Sequence, residues 1–372
     1  MKFSIQQEYF NKTLQTLKSA ISTKDMMPIL QHVYIDCSGD NIEFQANNLE
    51  IGILINTDAI VEEEGEVCLP GKLLADVVAS LPPQGLLEVE VNERGRATIR
   101  SVSAEMEIQG MPTEDFPKLE FSNIDFKNYM DKETILKAIR QTVVATAQDE
   151  IKQALTGVLI ESKDGYINFV GVDGHRMGFV KVKSDTELER MIVPGKNLKE
   201  LYKILSKRNV FNVGIAQDES KVIFECGGMY FVSRLLQGQF PNYERVIPQN
   251  FTAYFSADRK DLIDGLKRLR AIAAAGGDNA IKIALGEDSI ELSTLVSEIG
   301  AGREKIKASV ENDGDFEIAF SVFYLLDALE SVGYSTVEFR FVDKLSQALM
   351  TSPEDTDYLH IIMPIRLCVV CK

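Results

Sequence analysis

The chain has 372 residues, 45% of them apolar, with 40 Lys and Arg against 56 Asp and Glu and a formal net charge of −16. That length allows two or three domains, each with its own core, and no apolar run approaches the ~18–20 residues of a membrane helix. Spread evenly, so much negative charge excludes nucleic acid as a partner, because phosphate binding runs on Lys and Arg.

The first stretch, MKFSIQQEYFNKTLQ, lacks an apolar signal-peptide core, which points to a cytosolic protein. Cys37, Cys68, Cys226, Cys368 and Cys371 are few, odd in number and scattered, unlike a disulfide framework. A helix is expected over 6–25, with Leu14, Leu17 and Ile21 on one face. VYIDCSGDNIEFQA follows as an antiparallel hairpin around Ser-Gly-Asp. A second helix starts at Pro70, with proline in the first helical position. The same order then returns. A helix over 131–147 buries Ile135, Leu136 and Ile139, VLIESKDGYINFVG forms a hairpin around Asp-Gly, and a helix starts at Pro194. A third round has a helix over 258–275 with Leu262, Leu266 and Leu269 inward, the hairpin IALGEDSIELST, and a helix from Ser321. The chain closes on the apolar strip HIIMPIRLCVVCK, which reads either as a last buried strand or as the wall of a binding cleft.

The recurrence has a fixed ruler. Pro70 and Pro194 are 124 residues apart, and so are Phe116 and Phe240. Two independent phrases at one offset mark an internal repeat. The expected fold class is therefore α+β, with three similar domains at 1–125, 126–250 and 251–372. Each has two helices packed on antiparallel sheets; the third copy is the most diverged and keeps no Pro-Gly-Lys.

The charge is not evenly spread. The six helical windows hold 17 Lys and Arg against 11 Asp and Glu, leaving them at +6 and the remainder at −22. Helix-forming lysines on solvated faces would give part of this. The helix from Pro194 goes further: Lys196, Lys199, Lys203 and Lys207 share one face, while Leu198, Leu201, Ile204 and Leu205 take the other. A basic stripe backed by an apolar one suits a polyanion, and without a base-reading motif its contacts would be to phosphates.

No residue set carries chemistry. His175 lies beside Asp173 with no nucleophile nearby, in a turn that reads as a cleft rim. Gly300 to Gly302 lacks the rest of a dinucleotide fingerprint, and Pro-Gly-Lys lacks the rest of a phosphate loop. Cys368 and Cys371 with His360 make half a zinc site. No catalytic residue, metal or cofactor is expected.

LTGVLIE (Leu155–Glu161), VDGHRMG (Val172–Gly178), VPGKNLKEL (Val193–Leu201), FPNYERVIP (Phe240–Pro248) and IIMPIRL (Ile361–Leu367) resemble, in this order, the bacterial DNA sliding clamps, the β subunits of DNA polymerase III. The resemblance runs from Met1 to Leu367. It implies a non-catalytic head-to-tail homodimer whose six domains close a ring around duplex DNA. It implies a peptide cleft between domains 2 and 3 for the polymerase III catalytic subunit, the clamp loader, other polymerases, and mismatch-repair and ligase-type proteins, with no membrane role. The cleft falls on Leu155, Val172, Gly174, His175, Arg176, Met177, Pro241, Arg245, Val246, Tyr324, Ile362, Met363, Pro364, Ile365 and Arg366. The DNA-facing set falls on Lys12, Lys72, Lys137, Arg140, Gln148, Lys152, Lys196, Lys199, Lys203, Lys207, Lys267 and Arg268. Ring closure is expected from Arg96, Arg100, Met106 and Ile108 against Ile272, Glu298 and Glu304, through apolar contact and opposite charge. The chain departs from the family pattern in its CVVCK extension, which could cross the cleft or hang free, and in a loop, QDEIKQA, without aromatics. Two other readings stay open: a hydrolase using His175 and Arg176, and a scaffold that binds proteins but never encircles DNA.

Overall fold

The computed structural model describes residues 1–24, 27–39, 41–121, 124–149, 152–277, 279–295, 300–312 and 314–366. The first copy runs β1 (Lys2–Gln6), α1 (Gln7–Leu17), β2 (His32–Ser38), β3 (Asn41–Asn47), β4 (Ile51–Asp58), β5 (Ile60–Glu63), β6 (Gly65–Pro70), α2 (Gly71–Ser80), β7 (Leu86–Val91), β8 (Arg96–Arg100) and β9 (Glu105–Gln109). The second runs β10 (Asn128–Asp131), α3 (Lys132–Val143), β11 (Gly157–Lys163), β12 (Tyr166–Val172), β13 (Arg176–Lys183), β14 (Met191–Pro194), α4 (Gly195–Leu205), β15 (Asn212–Gln217), β16 (Lys221–Glu225) and β17 (Met229–Arg234). The third runs β18 (Ala253–Asp258), α5 (Arg259–Ala275), β19 (Ala280–Leu285), β20 (Ser289–Thr294), β21 (Arg303–Asn312), β22 (Glu317–Ser321), α6 (Val322–Ser331), β23 (Thr336–Phe341), β24 (Ala348–Ser352) and β25 (Asp355–Ile362).

Local chemistry explains these elements. The β11–β12 hairpin turns on Asp164 (φ 53°) and Gly165 (φ 78°), with Lys163 paired to Tyr166. Two positive φ values in a two-residue loop match the right-handed twist of the strands. Asp258 caps α5, its carboxylate accepting from the Asp261 amide at 3.0 Å, which satisfies one orphan N–H of the first turn. The expected apolar faces are buried: Leu14, Leu17, Ile135, Leu136, Ile139, Leu262, Leu266 and Leu269 are all 8% exposed or less. Two details differ from expectation. The first helix ends at Leu17 and tightens into a 3₁₀ turn over Lys18–Ala20, so Ile21 lies beyond it. Pro70 and Pro194 end strands, and Gly71 and Gly195 open the helices. A β-carbon on Gly71 would meet Ile21 Cδ1 at 2.5 Å, and one on Gly195 would meet Thr146 Oγ1 at 2.8 Å. The glycine after proline lets α2 and α4 start hard against their neighbours.

The chain gathers into two units, residues 1–133 with 200–235, and residues 134–199 with 236 onward. In the first, β5-β1-β7-β8-β9 form one sheet and β10-β15-β16-β17-β4-β3-β2-β6 another. In the second, one antiparallel sheet runs β14-β11-β12-β13-β25-β24-β23-β18-β21-β20-β19-β22. The joint inside each long sheet is a strand of one copy laid on a strand of the next. β17 pairs with β4, Phe231 opposite Ile53, and β25 pairs with β13, Ile361 opposite Met177.

In the second unit α3 lies on β12 and β13 because two glycines admit it. A β-carbon on Gly171 would stand 2.0 Å from Thr142 O, and one on Gly178 would stand 2.4 Å from Gln141 O. Neither obstacle is a side chain that can rotate away, so Gly171→Ala forces the helix off the sheet. The expected cost is about 2–3 kcal/mol, read as a lowered urea midpoint; an unchanged midpoint would show that the helix shifts at no cost.

Candidate functional site

The turn from β12 to β13 is built by one aspartate. Asp173 Oδ1 accepts from the amides of His175 (2.8 Å) and Arg176 (2.9 Å), and Gly174 takes φ +93°. The turn delivers Arg176 inward, its side chain only 8% exposed. Its Nε donates to Asp173 Oδ2 at 3.0 Å and its Nη1 to Asp327 Oδ2, on α6, at 2.6 Å. The guanidinium lies 4.3 Å from the centroid of the Tyr324 ring, which also stacks on His175 at 6.2 Å. A buried guanidinium needs this much; removing either carboxylate would leave charge in a poorly hydrated place.

The closing strip joins this group. Ile361 and Ile362 are buried. Beyond them the Met363 amide donates to His175 O (2.8 Å) and the Ile365 amide to Ala319 O (2.7 Å). Met363 stays 41% exposed, and Pro364 and Ile365 are half-buried. The strip is therefore a buried strand as far as Ile362 and a surface lip after it. Below lies an apolar floor in which Leu155, Met177 and Ile361 join Leu159, Phe240, Tyr243 and Leu349, with Val172 against it. Phe240 and Tyr243 anchor their segment there, and the Tyr243 hydroxyl donates to Glu161 at 2.9 Å. Pro241, Arg245 and Val246 are left exposed. Gln347 donates to Val246 O at 3.0 Å, and Leu345 nearby in the chain is 68% exposed. Asp327, Tyr243, Leu345 and Leu349 escaped the sequence reading. Tyr243 alone had a visible signal, in the repeated Phe-Pro phrase.

On α4 the basic stripe holds for three of its four lysines; the fourth, Lys207, lies in the turn after the helix ends at Leu205. Lys196, Lys199, Lys203 and Lys207 are exposed while Leu198, Leu201, Ile204 and Leu205 are buried. Lys12, Lys72, Arg140, Gln148 and Lys152 are also exposed. Others are engaged within the chain: Lys137 with Asp355, Lys203 with Glu200, Lys267 with Glu330 and Arg268 with Glu304. Lys137 is thereby half-buried, its charge neutralised by a carboxylate that burial alone would have disfavoured.

The residues expected at a chain–chain contact are partly occupied. Arg96 pairs with Glu107, and Arg100 reaches Glu88, Glu90 and Glu105. Glu304 is taken by Arg268. Ile108 is 3% exposed, a core residue of its own sheet, whereas Met106 is 39% exposed. Ile272 is half-buried beside Gly302, whose β-carbon would meet it at 3.1 Å. Glu298 and the Cys368–Lys372 extension lie outside the described residues. Cys37, Cys68 and Cys226 are buried, and burial pushes each thiol up to about 12, so they are inert at neutral pH. Among the described residues no three His, Cys, Asp or Glu gather to hold a metal ion, and no helix is long and apolar enough to cross a membrane.

The described residues thus form three α+β repeats with a basic stripe on α4 and an apolar floor beneath the Asp173 turn. Family models for the DNA polymerase III beta subunit match its N-terminal domain at residues 1–120, its central domain at 129–242 and its C-terminal domain at 244–366. The beta sliding clamp of Staphylococcus epidermidis is 30% identical over 376 aligned residues, covering 98% of this chain and 99% of that protein. The crystal structure of the Bacillus subtilis sliding clamp superposes with TM-score 0.93 at 28% identity over 99% of each chain. That of Pseudomonas aeruginosa with ligand gives 0.90 at 26%, over 99% of this chain and 100% of that one. The chain belongs to the bacterial DNA sliding clamps, the non-catalytic β subunits of DNA polymerase III, and has their three-domain α+β fold.

On β25 His360 is fully buried, with Nδ1 3.1 Å from the Tyr358 hydroxyl. Burial, helped by the positive charge of Arg176, pushes its pKa down to about 3. An unfolded chain takes up that proton near pH 6.5. The His360 contribution to stability is therefore complete above pH ~6.5 and is lost as pH falls toward 3. Thermal midpoints of the native protein should fall over that window more steeply than those of His360→Gln; parallel curves would remove His360 from the account.

Proposed function

We propose that this chain is a processivity factor of bacterial DNA replication, a head-to-tail homodimeric ring that encircles duplex DNA in the cytoplasm and tethers the polymerase. The observation that carries the reading is a pair of strand edges left unmatched among the described residues. β4 receives β17 and β13 receives β25. Their counterpart in the third copy is the first half of β21, Arg303–Lys307, which pairs with β20 on one side. The counterpart of β17 and β25 in the first copy is β9, the last strand of its sheet. One open edge of each kind per chain gives an interface that repeats head to tail, and such contacts close into rings. The same register would set Met106 opposite Gly302 and Glu105 opposite Arg303. Met106 would then cover Ile272 where glycine leaves it bare. In this arrangement the charges that meet are Glu105 and Glu107 against Arg303 and Lys305. The strand register, rather than any free charge, selects them in place of Arg96 and Arg100, whose own partners include Glu107 and Glu105.

Lys196, Lys199 and Lys207 supply phosphate contacts without sequence preference, joined by Lys12, Lys72, Arg140, Gln148 and Lys152. The acidic remainder disfavours DNA elsewhere on the surface. The cleft of His175, Tyr324, Val246, Met363 and Ile365 over the Leu155–Met177–Ile361 floor would take the apolar anchors of a short linear motif. Through it the polymerase catalytic subunit, the clamp loader, other polymerases and mismatch-repair and ligase-type proteins gain effective concentration at the DNA.

Two experiments test this. Protein loaded by a clamp loader and ATP on nicked circular DNA should stay on circles and leave once they are linearised. Equal retention on both would favour a scaffold that never encircles DNA. The variant Lys196→Glu/Lys199→Glu/Lys207→Glu should lose retention on circles by about tenfold or more. Separately, Arg303→Glu should sediment as monomer at micromolar concentration, and adding Glu105→Arg should restore the dimer. If the double variant stays monomeric, the proposed register is wrong.

A further inference from the structure

A cavity of about 410 Å³ opens on the first unit among β2, β3, β4, the segment Lys118–Phe121 and Tyr230 of β17. The cleft described above makes no use of it. The second copy has a counterpart to this place. Strand register equates Asp36 and Glu43, which face each other, with Glu161 and Asn168. The spacing of Phe116 and Phe240 equates Leu119 with Tyr243. In the second copy the space is filled from within. Tyr243 is 6% exposed, stands 5.8 Å from Phe179, and its hydroxyl serves both Glu161 (2.9 Å) and Asn168 (3.3 Å). In the first copy leucine stands there, with neither ring nor hydroxyl, and room remains.

The walls of that room define what fits it. Phe121 and Tyr230 stack at 4.8 Å and give it a flat aromatic side. Glu43 stands where the second copy has a neutral asparagine, and its carboxylate is half-buried with the Gln45 amide donating at 2.6 Å. Burial raises its pKa, so a cation beside it would be favoured. Asp36 already accepts from the hydroxyls of Ser38 and Tyr34. Lys118 is the single basic residue in the lining; it is held by Glu66 at 2.7 Å and lies 4.6 Å over the Tyr34 ring. Glu120 adds a further negative charge. An aromatic wall beside a carboxylate suits a planar, delocalised cation, which stacks on the ring and donates two parallel hydrogen bonds. Guanidinium meets that description and ammonium does not.

We infer that this cavity is a second docking site, for an arginine side chain presented by a partner protein. It is separate from the cleft proposed above and does not depend on that reading.

The test uses the full chain labelled with 3-fluorotyrosine, with Tyr34 and Tyr230 assigned through Tyr34→Phe and Tyr230→Phe. N-acetyl-arginine amide is titrated, with N-acetyl-citrulline amide as its uncharged isostere and N-acetyl-tyrosine amide as the alternative suggested by Tyr243. Arginine should shift both ¹⁹F signals saturably, and citrulline should bind at least about tenfold more weakly, the cost of losing charge-assisted hydrogen bonds. Glu43→Gln should weaken arginine by a similar factor. Leu119→Tyr should abolish the response by filling the cavity as Tyr243 does. Equal binding of citrulline, preference for the tyrosine probe, no saturable shift with arginine, or full binding to a folded Leu119→Tyr protein would each overturn the proposal. Glu43→Gln, nearly isosteric, keeps the test valid if Leu119→Tyr does not fold.

Discussion

The structure depends on one constraint: a strand at the edge of a sheet has backbone donors and acceptors that must find partners. Each repeat alone ends in such edges. The chain meets the need by laying the last strand of one copy on the outer strand of the copy before it, at β17 on β4 and β25 on β13. Three copies in one chain provide two such joints and, among the described residues, leave one edge of each kind. The proposed ring is the arrangement that pairs those two with the same geometry. The joints also explain why the compact units do not coincide with the repeats: strand pairing ties half of the second copy to the first and half to the third.

The same joints position the proposed cleft. Arg176 begins β13 opposite Ile362, so the pairing that fuses two copies also brings the Asp173 turn beside α6. His175 was legible as a rim residue, and Leu155, Met177 and Ile362 as apolar neighbours, because their phrases stand out in the sequence. The partner of Arg176 was not. Asp327 lies 151 residues away in a helix whose sequence looks wholly apolar around it. Periodicity reports which face a residue takes, not which distant group it meets.

That limit also separates the charged residues whose expected setting matches the geometry from those whose setting does not. The α4 stripe is a property of one helix, and helical spacing alone placed its lysines outside and its leucines inside. The fates of Arg96, Arg100, Lys137 and Arg268 depend on neighbouring strands. Arg100 has three glutamates on β7 and β9 within 3.0 Å, a result of strand register that charge counting cannot supply. The helices' surplus positive charge is therefore smaller in effect than the sequence count suggests. Exposed basic residues remain on both α4, with Lys196, Lys199 and Lys203, and α5, with Lys260, Lys267, Arg268 and Arg270.

Arg176 shows how a residue can shape the proposed cleft without itself being a contact surface. Its side chain is 8% exposed, so little of it is left for a ligand. Its two carboxylates come from different repeats, and Tyr324 lies flat over it. An exposed ion pair would be worth at most about 1 kcal/mol. A buried one is different, because losing either partner strands a charge at a cost of about 3–5 kcal/mol. Asp327, 44% exposed, can recover water and so belongs at the low end of that range. Asp173, at 11%, cannot, and it also holds the His175 and Arg176 amides. The rigidity of the turn therefore rests on the Asp173 side. The turn sequence Asp-Gly-His-Arg is then a single device: aspartate fixes the backbone and the guanidinium, glycine permits the bend, and histidine is left free to face outward beside Tyr324.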